Sequence, residues 1–576
     1  MMAADSKVSS ILPAVSANEA AAFLQARDFL LQSRANYAAA YKEFRWPQLE
    51  QFNWALDYFD VMAADNTQIA LVITGQNPDD QKLSFGEISE RSNRVANFLR
   101  RIGVCRGDRI LVMLGNETAL WETMLAACKL GAVVVPTSNV IGADDLKDRL
   151  ESGQVRHVIA NFVSKDKFDA AAREYTLILV GGSENGWIEY EQAYSEPGDF
   201  TPNGPTRGSD PLLLYFTSGT TAKPKLVLHS QHSYPVGHLS TMYWIGIQPG
   251  DVHWNISSPG WAKHAWSSFF APWNAGACIV VSNERRFSAK NVLNTLVRTG
   301  VTTLCAPPTA WRMLIKEDLR KYFVKLREVV SAGEPLNPEI VRQVQDCWGL
   351  TIRDGYGQTE TTALIGNAPG QKLKPGSMGR PLPGYRVRIL DTTGQNAGEG
   401  QLCVDRQPPP LGLMLGYEKQ ERAAADDTSA PYYQTGDIVR SDDEGYIFFV
   451  GRVDDVFKSS DYRISPFELE SAAIEHPAVL EAAVVPSPDP VRLAIPKAFV
   501  SLAPGYAPDE NTARDIFVYL KQKLAPYKRI RRLEFADLPK TSSGKIRRTE
   551  LKHSECGRSL EAGRRPFEFF DEDFTL

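Results

Sequence analysis

The chain has 576 residues, with 64 Lys+Arg against 69 Asp+Glu, a formal net charge of -5 and 43% hydrophobic residues. That length exceeds one typical core, so at least two domains are expected, and the apolar share excludes a disordered chain. The slightly acidic balance gives no support to nucleic-acid binding. No apolar run approaches the roughly 18–20 residues of a membrane helix. The seven cysteines are scattered and form no CxxC pair, which argues against a disulfide framework and a zinc site. The start, MMAADSKVSS, lacks a charged segment followed by a long apolar stretch, so no signal peptide is expected. A reducing, cytoplasmic setting is the simplest expectation.

Residues 1–50 are Ala-rich and amphipathic and read as a helical N-terminal arm. RILVML (109–114) reads as a buried strand. The helix after it, TALWETMLAACKLGA, carries Leu120, Met124, Leu125 and Cys128 on one face and ends at Gly131 as a C-cap. GAVVVP (131–136), HVIANF (157–162), LILVG (177–181) and CIVVS (278–282) are further strands. Strands alternating with helices predict an α/β class with mostly parallel sheets in a large multilayer N-terminal domain.

The polar stretch GRVDDVFK (451–458) interrupts this pattern. Boundaries follow: an N-terminal domain over 1–450, a hinge at 451–455, and a small, mobile α+β domain over 456–576. In the small domain Ser465 fits a helix N-cap, Pro466 the first helical position, and Glu468 the partner of a capping box. AAVVP (482–486), KAFVSL (497–502) and RRLEFA (531–536) read as strands. The acidic, aromatic tail EFFDEDFTL has no evident role.

Four segments carry chemistry. YFTSGTTAKPK (215–225) joins apolar strand residues to small hydroxyl residues, a glycine and two lysines. Small residues let backbone N–H groups converge on phosphate oxygens, and hydroxyls and lysines add charge-assisted donors. Pro224 argues against the helix that a P-loop needs after its lysine. A Ser/Thr-rich surface turn is the bland reading. DGYGQTETT (354–362) places Glu360, Thr359 and Gln358 between glycines and a strand, suited to Mg²⁺ beside phosphates or to an ordinary turn. In YYQTGDIVRSDDEGYIFFVGRVDD (432–455), Asp437 follows a glycine and can meet ribose hydroxyls. A hairpin with Asp in its turn is the alternative, and DEG (443–445) is itself a turn. In LPKTSSGKIRR (538–548), Lys545 follows a Ser-Ser-Gly loop and can swing into an anion site, or belong to a solvated basic patch.

Together, in this order, the four segments resemble the adenylate-forming (AMP-binding) superfamily of acyl-CoA synthetases, luciferases and peptide-synthetase adenylation domains. The resemblance runs from about residue 60 to 550. SAGEPLNPE, DGYGQTET, EHPAVLEAAVVPSPDPVR and LAPYK make it most similar to the medium-chain acyl-CoA synthetases. The resemblance implies ATP, Mg²⁺ and coenzyme A as participants and a small carboxylic acid as substrate. It implies a phosphate loop at Thr217, Ser218, Gly219, Thr220, Thr221, Lys223 and Lys225. Gly333, Glu334 and Pro335 would flank adenine. Asp354, Gly355, Tyr356, Gly357, Gln358 and Thr359 would close around adenine and the α-phosphate. Thr220 and Glu360 would serve the metal, Asp437 and Arg452 the ribose, and Arg463 the phosphates. Lys545 would be the lysine of the first half-reaction, Asp454 the hinge, and Lys458 a lysine brought in after rotation. Ser460, Asp461, Tyr462, Arg492 and Lys521 would face coenzyme A.

Two residues depart from the pattern. Ala222 stands where the phosphate loop usually has glycine, and Asp461 where a glycine borders the pantetheine tunnel. The Asp461 carboxylate keeps a second reading open: an adenylation enzyme that loads a separate carrier protein. Homo-oligomer formation is left open too. For the acid, Gly357 takes the place of the tryptophan that shortens the pocket in acetate-specific relatives, and Ala332 is also small. A medium-chain, branched or aromatic acid is therefore expected. Trp261 and Lys263, in SSPGWAKHAWSSFF (257–270), would line this pocket, with Trp266 as core and Lys263 reaching solvent.

Overall fold

The computed structural model describes residues 14–75, 79–171, 175–217, 224–284, 286–334, 336, 338–418, 430–460, 462–540, 546–558 and 563–574. The chain forms two compact units, Met1–Val387 with Val404–Tyr433, and Arg388–Cys403 with Gln434–Leu576.

The first unit holds two large sheets. In one, the strands Val133–Pro136, Arg109–Met113, His157–Asn161 and Thr176–Val180 run parallel, as their continuous Val/Ile/Leu runs predict for strands covered on both faces. On its other side Pro211–Thr217 pairs antiparallel with Lys225–Ser230, which pairs in turn with the two-residue strand Gly416–Tyr417. Among the described residues the second sheet has nine strands. Its core is parallel, from Ile69–Thr74 through Cys278–Ser282, Val252–Asn255 and Thr303–Ala306 to Glu328–Ala332 and Arg353–Gly357. Antiparallel strands close both edges. Helices Ala14–Gln32 and Tyr37–Glu43 form the expected arm.

The helix predicted after the first strand spans Thr118–Leu130, and Gly131 ends it in the left-handed conformation at φ 74°. It is buried on every side, not on one face, because Glu122 and Lys129 are neutralised inside. Glu122 accepts from Arg91 at 3.0 Å and from the hydroxyls of Tyr190 and Tyr194 at 3.1 Å each. Lys129 meets Asp60 at 2.8 Å and Asn93 at 2.6 Å.

The strand Tyr432–Ser441 enters the second unit at Gln434 and there pairs with Ile447–Arg452 in a hairpin turned at Gly445 (φ 80°). This unit also holds a four-stranded sheet of Val479–Asp489, Leu493–Leu502, Arg532–Phe535 and Glu568–Phe570. Helices Pro466–Ile474 and Glu510–Lys523 pack their apolar faces on this sheet around Leu469, Ile516 and Phe517. Ser465 caps the first helix by accepting from Glu468 N at 3.2 Å. The predicted reciprocal half of the capping box gives way to an ion pair, because the Glu468 carboxylate meets Lys528 Nζ at 2.7 Å. The acidic tail supplies the sheet's edge strand. Among the described residues no helix is long and apolar enough to cross a membrane.

Candidate active site

In the first unit the predicted residues Gly333, Glu334 and Asp354–Gly357 lie where two neighbouring parallel strands end. Ala332 closes the strand Glu328–Ala332 and lies in register with Gly355 of its neighbour. Gly333 follows at φ 108°, a conformation that favours glycine, and turns the chain toward Glu334. Asp354 to Gly357 occupy the adjacent strand end. The Asp354 side chain accepts from Gly355 N at 3.0 Å, but surrounding protein strips enough water that its carboxyl is pushed up to about 8.

The turn after this strand is held from several sides. Gln358 Oε1 accepts from the Tyr433 hydroxyl at 2.9 Å, and burial followed by the nearby Glu360 charge holds that phenol well above its usual range. The Thr359 carbonyl accepts from His229 Nε2 at 2.7 Å. Burial lowers His229 to about 4, so its ring is neutral near pH 7. With the proton on Nε2, Nδ1 is left to accept from Ser233 Oγ at 2.9 Å. Glu360 Oε1 accepts from the Tyr417 hydroxyl at 2.8 Å, and the Lys225 ammonium lies 4.7 Å from the Tyr417 ring centroid. Glu360 and Lys225, far apart in sequence, are thereby joined through one tyrosine. Thr217 and Lys225 face each other across the hairpin whose tip is the expected phosphate loop.

Among the described residues no three His, Cys, Asp or Glu side chains could hold a metal unaided. A single carboxylate of Glu360's kind suits Mg²⁺, whose oxygen shell is completed by water and nucleotide phosphates. Ser218, Gly219, Thr220, Thr221, Lys223, Pro335, Asp461 and Lys545 lie outside the described residues, as does Ala222.

The expected acyl wall has two surprises. The Lys263 ammonium is tied inward: the residue is half-buried and its Nζ donates to the Ala332 carbonyl at 2.9 Å. A Cβ on Gly357 would sit 2.6 Å from Trp266 Cη2 and 2.3 Å from the Thr362 carbonyl oxygen. Trp266, buried and donating to the Tyr234 hydroxyl at 2.8 Å, therefore fills the room that Gly357 leaves. Burial lowers His264 to about 3, and its Nε2 pairs with Asn116 Oδ1 at 3.0 Å. It is a neutral core residue, not a charged pocket group.

The second unit carries its own group. Asp437 is buried, stands in register with Arg452 and accepts from it at 3.0 Å. Lys458 and Arg463 face each other across the hairpin of Phe457–Ser459 with Tyr462–Ile464, both exposed. Two like charges placed opposite each other disfavour a hairpin. Ser460, at φ 54°, donates its N–H to the Arg492 carbonyl at 3.0 Å, and Tyr462 stacks on Tyr527 with centroids 4.5 Å apart. Lys521 lies in the last turn of the helix Glu510–Lys523. The Asp454 carbonyl accepts from Lys552 at 2.8 Å. Sequence reasoning missed Tyr417, Tyr433 and His229. Each is an isolated residue whose partner lies more than fifty positions away, so no local pattern could reveal it.

Known proteins resemble this chain in sequence and fold. The AMP-binding enzyme family matches residues 60–418, and the AMP-binding enzyme C-terminal domain matches residues 468–545. The 4-hydroxybutyrate–CoA ligase 1 of Metallosphaera sedula is 44% identical over 521 residues, covering 88% of this chain and 91% of its own. The mitochondrial acyl-coenzyme A synthetase ACSM3 of Mus musculus is 37% identical over 545 residues, covering 91% of this chain and 94% of its own. Among solved structures, the anthranilate CoA ligase AuaEII in complex with anthranoyl-AMP superposes with a TM-score of 0.80 at 26% identity. That match covers 88% of this chain and 98% of AuaEII. The mitochondrial setting of the ACSM3 relatives overturns the cytoplasmic expectation. Scattered cysteines and the lack of a spanning helix do not separate the cytosol from an organelle's interior.

Proposed function

The chain belongs to the AMP-binding enzyme family of acid–thiol ligases, and on that premise we propose that it joins a medium-chain, branched or aromatic carboxylic acid to coenzyme A. The coarser activity is that of the family: ATP activates an acyl or aryl acid as its adenylate, and the acyl group then passes to coenzyme A. Two observations support the site assignment: Gly333–Glu334 and Asp354–Gly357 lie at neighbouring parallel strand ends, and Glu360 is joined to Lys225 through Tyr417 in the same unit. Open α/β sheets bind nucleotides at such strand ends.

The proposed chemistry follows from charge. An acid carboxylate attacks the α-phosphorus of ATP, anion against anion, and pyrophosphate leaves. Bound Mg²⁺ would neutralise phosphate charge, with Glu360, and Thr220 by resemblance, as its protein partners. Lys545 would orient the attacking carboxylate and stabilise charge on the phosphoryl oxygens. Asp437, already oriented by Arg452, would accept from the ribose hydroxyls. In the second half-reaction the thiol attacks the adenylate carbonyl and AMP leaves, so no covalent enzyme intermediate is required. Lys458, Ser460, Tyr462, Arg492 and Lys521 would serve that step after rotation about Asp454. The relatives' own acids, a hydroxybutyrate and an aromatic acid, support a pocket larger than acetate needs.

The test is a panel of acids with ATP and Mg²⁺, following pyrophosphate release and thioester formation by mass spectrometry. Adenylate and thioester from C4–C8 or aryl acids is the expected result, and acetate as the best substrate would sink the acid assignment. Lys545→Ala is expected to lower adenylation by about a hundredfold or more while sparing thiolysis of supplied adenylate. Adenylate without thioester would favour the carrier-protein reading, which Asp461 motivates, and Asp461→Gly would then be made.

A further inference from the structure

We propose that Tyr417 is a positioning residue for adenylation: it fixes the Glu360 carboxylate and ties it to the strand that leaves the phosphate loop. This rests on the reading of Glu360 as the protein's carboxylate for the ATP-bound cation. Tyr417 sits on a short strap that bonds to both partners through its main chain. Met414 N donates to the Glu360 carbonyl at 2.9 Å. Leu415 N donates to Leu228 O at 2.8 Å and Glu418 N to Leu226 O at 2.9 Å, on the strand that begins with Lys225. Gly416 and Tyr417 lie in antiparallel register with Leu228 and Val227.

That register determines where the ring goes. Tyr417 opposes Val227, so its diagonal neighbour is Lys225, and the ammonium lies over the ring at 4.7 Å. The phenol then reaches Glu360 Oε1 at 2.8 Å. A glutamate has three side-chain torsions, and freezing them costs entropy at the moment a cation binds. A hydrogen bond to one carboxylate oxygen removes that cost in advance and aims the other oxygen, the usual task of a group behind a metal ligand. The strap also makes the two ends of the site move together: a shift of the Lys225 strand carries Tyr417 and Glu360 with it.

The test compares Tyr417→Phe, Glu360→Gln and the double variant in the full-length protein. Retention of Mn²⁺ with a non-hydrolysable ATP analogue, read by electron paramagnetic resonance, is set beside the rate of ATP–pyrophosphate exchange. The phenylalanine keeps the ring and the lysine contact and removes only the hydroxyl. Tyr417→Phe is expected to weaken Mn²⁺ retention and the exchange kcat by about tenfold each, leaving the KM of the acid within about twofold. The double variant should be no worse than Glu360→Gln alone, since the hydroxyl acts through that carboxylate. Tyr417→His, which offers an N–H donor, should recover part of the loss; if Phe and His variants lose equally, the role is structural and the proposal falls. It also falls if Tyr417→Phe retains Mn²⁺ like the parent, or if the two losses multiply. If Glu360→Gln itself retains Mn²⁺ normally, the cation assignment of Glu360 fails and takes the proposal with it. The acid panel on the parent protein separates that outcome from failure of the ligase reading.

Discussion

His229, His253 and His264 are held neutral by burial, at about 4, 3 and 3 against an ordinary 6.5. The folded state therefore binds fewer protons than the unfolded state between those values. Their contribution to stability is fully present above about pH 6.5 and is lost as pH falls toward 4 and below. The melting temperature is expected to drop across that window, and His264→Gln, which keeps a donor toward Asn116, should flatten the drop. An unchanged slope would mean the ring is not desolvated. At the acyl wall, size at one position misleads. Gly357 alone suggests an open pocket, yet Trp266 takes the space. Trp266→Leu is expected to move the preferred acid to a longer chain, read as kcat/KM across C4–C10 acids, by roughly tenfold for the acids gained. No change in ranking would place Trp266 outside the pocket.

At the scale of elements, the helix Thr118–Leu130 is the sharpest departure from pattern reasoning. Its apolar face was legible from Leu120, Met124, Leu125 and Cys128, but the helix also buries Glu122 and Lys129. Burial raises the Glu122 carboxyl, and Arg91, Tyr190 and Tyr194 oppose that shift. Glu122→Ala would remove the carboxylate that Arg91 and the hydroxyls of Tyr190 and Tyr194 donate to, leaving Tyr190 only its longer contact to the Ala119 carbonyl at 3.4 Å. A loss of about 3 kcal/mol in denaturant unfolding is expected, with a smaller loss for Glu122→Gln. A loss below about 0.5 kcal/mol would mean that water replaces the carboxylate. The small domain repeats the lesson: Lys497 is fully buried among Glu534, Glu555 and Glu568. Two of those carboxylates come from the late helix and the acidic tail, so the tail closes the sheet and is not a loose end.

At the scale of the whole molecule, the proposal needs the small domain to change orientation between half-reactions. Within the second unit, Asp455 meets Arg548 at 2.8 Å, and Arg548 also grips Glu470 at 2.7 Å. The chain just after the expected hinge is thus bound to the segment that carries Lys545. A hinge at Asp454 predicts that these contacts travel with the small domain. Asp454→Pro would restrict φ there to about -65°. Thioester formation is expected to fall more than about tenfold while ATP–pyrophosphate exchange stays within about threefold. Equal loss in both would place the hinge elsewhere.

Local chemistry was readable from residue order. Continuous Val/Ile runs announced the parallel strands, Gly131 a helix end and Ser465 a cap, and four short segments carry the family resemblance, because each depends on neighbours within a few positions. Tertiary structure alone decided which distant residues meet: Tyr417 with Glu360, Trp266 against Gly357, Lys263 on the Ala332 carbonyl, and Arg91 on Glu122. Those contacts follow from sheet register and helix packing. A hydrogen bond or a filled cavity between residues many positions apart leaves no periodic trace in the chain.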